Sequence, residues 1–184
     1  MRTLTAELRP HPQSPCKAIR RIGVGIGFEA SRGVLQVRFR IEGDVDRLVL
    51  PTAGFARRSD GLWQHTCFEA FLRPDANDSY HEFNFAPSGD WAAYRFGLRR
   101  SERSLPNIEA PSVRFQTEQG RCDLSADIAI ASLPELAEAA AVHAGMAAVV
   151  ETDDGYLSYW ALAHGSDRPD FHDPSTFALR VTAR

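Results

Sequence analysis

Residues 63–96 read WQHTCFEAFLRPDANDSYHEFNFAPSGDWAAYRF, three short aromatic-rich runs separated by the turn-forming clusters PDAND and PSGD. Strand side chains alternate between faces, so the first run places His65, Cys67, Glu69 and Phe71 on one side and Thr66, Phe68, Ala70 and Leu72 on the other. The second run sets Tyr80, Glu82 and Asn84 against His81, Phe83 and Phe85. Asp, Asn, Pro and Gly suit tight backbone geometry. The segment therefore predicts three neighbouring antiparallel strands, with one face apolar and the other carrying carboxylates.

Working outward, TLTAEL, IRRIGVGIGFEA and VLQVRFRIEG precede this motif as strand-like runs, the last alternating Val37, Phe39 and Ile41 with Gln36, Arg38 and Arg40. GIG near Gly25 lacks the rest of a phosphate-binding loop and reads as a closely packed strand. Downstream, RRSERSLPNIEAPS is polar and proline-bearing, the expected long loop. Strands resume at VRFQTE and CDLSADIAI, and again at HAGMAAVVET, LSYWALAH and FALRVTA. Between them, Ser132 as N-cap, Pro134 in the first turn and Glu135 as capping-box partner predict a short helix. Many short strands, one helix and no alternating strand–helix rhythm give an all-β expectation: a two-sheet antiparallel β-sandwich with one short helix near residues 133–142. Phe68, Phe83, Phe85, Phe96, Ile128, Val149 and Leu162 are the expected interior.

A chain of 184 residues with 43% hydrophobic side chains is expected to be a single domain over residues 1–184, with a core that needs no metal or disulfide. A net charge of −3 offers no general attraction to nucleic acid or an anionic membrane. Neither is an expected partner. Cys16, Cys67 and Cys122 are too few and too widely spaced for a disulfide framework or metal knuckle. The opening residues carry no apolar run of signal-peptide length, so the expected location is the cytoplasm.

Three phrases together carry a family likeness: LWQHTCFEAFLRP, YHEFNFAPSGDWAAYRF and DGYLSYWALAHGSDRPDFHDP. From about Val34 to Val181 the chain resembles the bacterial DOMON-like proteins related to family 9 carbohydrate-binding modules. That resemblance implies a β-sandwich with a ligand pocket against one sheet, and sugar or haem binding as the activities of the wider group. Haem-binding relatives use Met with His or Lys as axial side chains, whereas here Lys17 and Met146 are the only internal residues of those two types.

Glu69 and Glu82 stand on successive predicted strands, where they can bond a ligand, pair with Arg95 or Arg38, or resemble the paired carboxylates of a glycosidase. His65, Cys67 and Glu69 share a face, but same-face positions lie about 6.5–7 Å apart along a straight strand and converge poorly on one ion. Trp63, Trp91, Tyr94, Tyr159 and Trp160 offer flat surfaces to a ring. The stiff RPDFHDP segment, residues 168–174, reads as a loop tied by Asp170. The resulting expectation is a non-catalytic protein that binds a small polar or carbohydrate-like ligand through Glu69, Glu82, Asn84, Arg95, Trp160 and His164. No catalytic residue, metal or cofactor is expected. Haem binding is the alternative, and a protein-interaction domain the third reading.

Overall fold

Inward and outward side chains alternate cleanly along one half of the structure, a computed structural model that describes residues 3–29, 31–52 and 54–182. This half contains β1 (Thr3–Pro10), β2 (Ile19–Glu29) and β3 (Val34–Gly43). Val37, Phe39 and Ile41 of β3 are buried while Gln36, Arg38 and Arg40 between them face outward, and Ile22, Val24 and Ile26 of β2 are buried with only Gly23 and Gly25 between them. The β2–β3 hairpin closes through Gly33, whose φ of 60° lies in the left-handed region that glycine adopts without a steric penalty.

The other half begins with the predicted triplet, β4 (Cys67–Pro74), β5 (Tyr80–Phe85) and β6 (Trp91–Phe96). β7 (Ser112–Glu118) and β8 (Arg121–Ala129) return to the first half beside β3, and β9 (Ala141–Glu151), β10 (Leu157–Ala161) and β11 (Leu179–Thr182) complete the second. Every pairing between these strands is antiparallel, in the order β6–β5–β4–β9–β10–β1–β2–β3–β8–β7. β11 pairs with the Ala141–Ala144 stretch of β9, while Ala147–Glu151 of β9 pairs with β10.

The main core lies between the two halves. Phe39 from β3 meets Phe68 from β4 with ring centroids 5.2 Å apart, and Phe83, Phe85, Met146, Leu124 and Ile128 surround them. The expected interior residues Phe68, Phe83, Phe85, Phe96, Ile128 and Val149 are all buried, and Leu162 packs partly buried against the same core.

Two expectations change. The all-β reading holds, but the strands form one continuous, nearly closed, barrel-like sheet rather than two clearly separate ones. The cause is β1: it runs along β2 from Thr3 to Leu8, then crosses to pair Arg9 and Pro10 with Ala161 and Trp160 of β10. The bond from the His11 N–H to the Tyr159 carbonyl at 2.7 Å extends that seam. The helix expected near residues 133–142 shrinks to α1 (Pro134–Ala137), preceded by a 3-10 turn at Ile130–Ser132. Ser132 does not cap it, because its hydroxyl donates to the Ala129 carbonyl at 3.3 Å and Leu133 occupies the cap position. Leu133 and Leu136 are drawn into the core and β9 begins at Ala141, so the helix-favouring AEAAA run has no room to extend α1.

Among the described residues, no helix is long and apolar enough to cross a membrane. Truncating a fully buried ring removes its contacts and leaves a void. Phe83→Ala is expected to lower the unfolding free energy by about 3–5 kcal/mol, which denaturant unfolding followed by circular dichroism would measure.

Candidate functional site

Antiparallel sheets usually keep one face in water, yet β4, β5 and β6 are buried almost without interruption on both faces. Their second face carries the polar groups. Register places Glu69 opposite Asn84 and Phe71 opposite Glu82, and then Glu82 opposite Tyr94. Glu69, Glu82 and Asn84 thus share the side away from the main core. They are 3%, 5% and 0% exposed, so these polar groups lie within the fold.

Two segments cover this face. The first follows β6, where Arg100 and Glu102 hold left-handed φ values of 55° and 53°. The second joins β10 to β11 and carries Pro169, Phe171, His172 and Phe177. Phe177 stacks on Phe71 at 5.8 Å, over Gly145 of β9, where an added Cβ would come within 2.7 Å of the Phe177 ring. Asp170 fastens the two segments together: Arg100 donates to it at 2.9 Å, and Arg99 donates to its other oxygen. The predicted tie through Asp170 is therefore present, although the loop covers a face and not merely an edge.

Between sheet and cover lies a cavity of about 430 Å³. Glu69 and Glu82 form its polar floor beside Val149 and Tyr159, while Trp63, Tyr94 and Phe171 supply aromatic walls. Arg100, Arg103 and His172 complete the lining. Arg103 lies over the Tyr94 ring, 4.5 Å from its centroid, and the Tyr94 hydroxyl donates to Asp60.

The floor is electrostatically unusual. Burial, followed by the charge of Glu82, pushes the Glu69 carboxyl well above the usual carboxylate range against the pull of Arg100, with no hydrogen bond to it among the described residues. Burial also raises Glu82 to about 7, against the hydrogen bond from Asn84 and the pull of Arg100 and Arg103. The two raised carboxyls, set on neighbouring strands, resist being charged together. Asn84 Nδ2 donates to Glu82 Oε1 at 2.8 Å, while Asn84 Oδ1 has no hydrogen-bond partner among the described residues.

His172 approaches the floor from above. The Arg100 N–H donates to the Tyr80 hydroxyl at 3.1 Å, and the same hydroxyl is hydrogen-bonded to His172 Nδ1 at 2.7 Å. The other ring nitrogen, Nε2, lies 3.6 Å from Glu82 Oε2. Burial, then the charge of Arg100, lower His172 to about 4, so the ring is neutral at pH 7.

Of the six residues singled out from sequence, the structure brings Glu69, Glu82 and Asn84 together and separates the other three. Arg95 pairs with His81 across β5 and β6, hence on the opposite side from Glu82, and its guanidinium donates to Glu135 at 2.7 Å. Trp160 is one residue out of phase: it faces the main core and donates to Ser158 Oγ at 3.0 Å, leaving Tyr159 on the cavity side. His164 bonds the Arg9 carbonyl at 2.8 Å and packs edge-on against His11, outside the cavity lining. His65, once grouped with Cys67 and Glu69, turns instead to Glu151 at 2.8 Å. Sequence reasoning missed Arg100 and Arg103, and it read His172 only as a polar residue of the RPDFHDP loop and a helper to a metal site that it did not favour. All three come from covering segments whose path over the sheet has no periodic signal, although the polar loop and the RPDFHDP run marked where those segments lie.

No family model matches the chain, and no curated protein matches it significantly. Solved structures do share the fold. A candidate carbohydrate-binding protein from Bacteroides uniformis ATCC 8492 superposes with a TM-score of 0.67 at 14% identity, covering 98% of this chain and 85% of that one. A family 9 carbohydrate-binding module from Caldicellulosiruptor kristjanssonii, solved with cellotriose, gives 0.57 at 9% identity, covering 96% and 81%. At such identities the likeness is one of fold.

The raised carboxyl has a consequence for stability. A Glu82 pKa of about 7, above the ordinary 4.5, means that stability present below about pH 4.5 is lost as pH rises through 7. His172 and His81, both lowered to about 4, act in the opposite sense, losing stability as pH falls from 6.5 through 4. Comparison with Glu82→Gln isolates the carboxyl from the histidines. The variant is expected to exceed wild type in stability by on the order of 1–3 kcal/mol near pH 8, with the difference vanishing near pH 4.5. Scanning calorimetry of both proteins across that range would check this.

Proposed function

We propose that this chain is a non-catalytic binding protein of the DOMON-like group related to family 9 carbohydrate-binding modules, and that its cavity holds a small polar, carbohydrate-like ligand. The observation that carries the reading is the buried Glu69 carboxyl, which lines the cavity with no hydrogen bond to it among the described residues. A ligand hydroxyl at the cavity floor would give that carboxyl a hydrogen-bond partner. Glu82, oriented by Asn84, offers a second carboxyl at the same floor.

Sugar rings present hydroxyls at their edges and C–H groups on their faces. The carboxyl floor suits the first, and the Trp63, Tyr94 and Tyr159 rings suit the second. A cavity of about 430 Å³ is within the common range for small-molecule sites. The fold shared with carbohydrate-binding structures supports the same reading.

Hydrolysis is not favoured by this arrangement. A glycosidase places its two carboxyls on either side of the scissile bond, whereas Glu69 and Glu82 rise from neighbouring strands of one floor.

Isothermal titration calorimetry with a panel of mono- and disaccharides tests the reading. A binding sugar is expected to lose about tenfold or more in affinity to Glu82→Gln, the cost of one charge-assisted hydrogen bond. Equal binding by both proteins would remove the cavity floor from the site. A Soret band in the purified protein would replace the carbohydrate reading with the haem alternative.

A further inference from the structure

We propose that the ligand bears a carboxylate on its sugar ring and that Arg100 and Arg103 receive it at the cavity mouth, an inference that rests on the carbohydrate reading of the same site. The two guanidinium groups are placed by several constraints at once. Arg100 occupies a left-handed backbone conformation that is sterically costly for a side chain with a Cβ. Its N–H is held by the Tyr80 hydroxyl, and its Nε and Nη2 both donate to the same Asp170 oxygen. Arg103 lies over the Tyr94 ring and reaches Asp60 through Nη2, at 3.4 Å to each oxygen.

These bonds leave donors unused. Arg100 keeps Nη1, and Arg103 keeps Nε and Nη1, with no protein hydrogen bond to either group among the described residues. Both side chains line the cavity, whereas their anchoring carboxylates, Asp60 and Asp170, do not. The charged groups facing the space are therefore Glu69 from β4, Glu82 from β5, and the two arginines from the segment after β6. His172, facing it from the β10–β11 segment, is neutral at pH 7. Burial raises both floor carboxyls and so weakens their claim on the arginines, whose unused guanidinium donors belong to residues of the cavity lining. A neutral sugar has no charged group to meet those donors. A ring carboxylate at the mouth accepts charge-assisted hydrogen bonds from the guanidinium groups while the ring hydroxyls meet the floor.

The test is calorimetry at pH 7 and low salt with D-galacturonate and D-glucuronate against D-galactose, D-glucose and glucose 6-phosphate. One of the two acid sugars is expected to bind at least about tenfold more tightly than its neutral counterpart, with a preference that weakens as salt rises. Arg103→Gln, verified as folded by circular dichroism, should reduce that preference to about threefold or less, and Arg103→Lys should keep part of it. Equal or tighter binding of the neutral sugars overturns the anionic inference and leaves the carbohydrate reading standing. Tighter binding of glucose 6-phosphate than of either uronate overturns the choice of a carboxylate. If no sugar binds the folded wild-type protein, both readings fall.

Discussion

Double-sided burial of β4, β5 and β6 is the constraint on which the rest of the structure depends. One face of these strands closes the main core, as Phe68, Phe83 and Phe85 require. The opposite face carries Glu69, Glu82 and Asn84, whose polar groups are expensive to enclose. The fold does not seal that face with apolar side chains. It arches two segments over the face and leaves a cavity against the carboxyls, lined by Trp63, Tyr94 and Phe171 and by Arg100 and Arg103.

Magnitudes indicate what holds the cover in place. The Arg99 and Arg100 pairs with Asp170 involve guanidinium groups about half exposed, and exposed ion pairs of this kind contribute roughly 0–1 kcal/mol each. Fully burying a Phe side chain contributes about 1.5–3 kcal/mol. Phe171 and Phe177, both buried, therefore anchor the β10–β11 segment, and the ion pairs set its register against the loop after β6. Gly145 belongs to the same arrangement, because the Phe177 ring occupies the space that a side chain there would need.

The cover also explains why the site mixes charges without collapsing into internal ion pairs. Asp60 and Asp170 draw the arginines toward the rim, Asn84 engages Glu82, and the Tyr80–His172 contact fixes a neutral imidazole above the floor. Glu69 is left without a hydrogen bond among the described residues. Arg95, the cation that adjacency in sequence favoured, stands behind the sheet with Glu135, where it stabilises the join between β6 and α1.

What the sequence determined by itself was periodic. Alternation along residues 63–96 set Glu69 against Phe68 in the first run, and Glu82 and Asn84 against Phe83 and Phe85 in the second, because a strand repeats every two residues whatever lies around it; the pairing of β4 with β5 then put the two carboxyls on one side. The same rule, applied with the correct pairing of β5 and β6, puts Arg95 on the far side, but that pairing is a register that the turn residues alone do not reveal. Trp160 illustrates the same limit: its strand is legible, but which of its faces meets the core depends on its pairing with β9. Tertiary structure alone decided that β1 stitches the two halves into one sheet, that Ser132 does not cap α1, and that Arg100, Arg103 and His172 meet above the carboxyls. These outcomes arise from irregular segments whose course is set by the surfaces they cover, and residues far apart in the chain acquire a common chemistry only when that covering is complete.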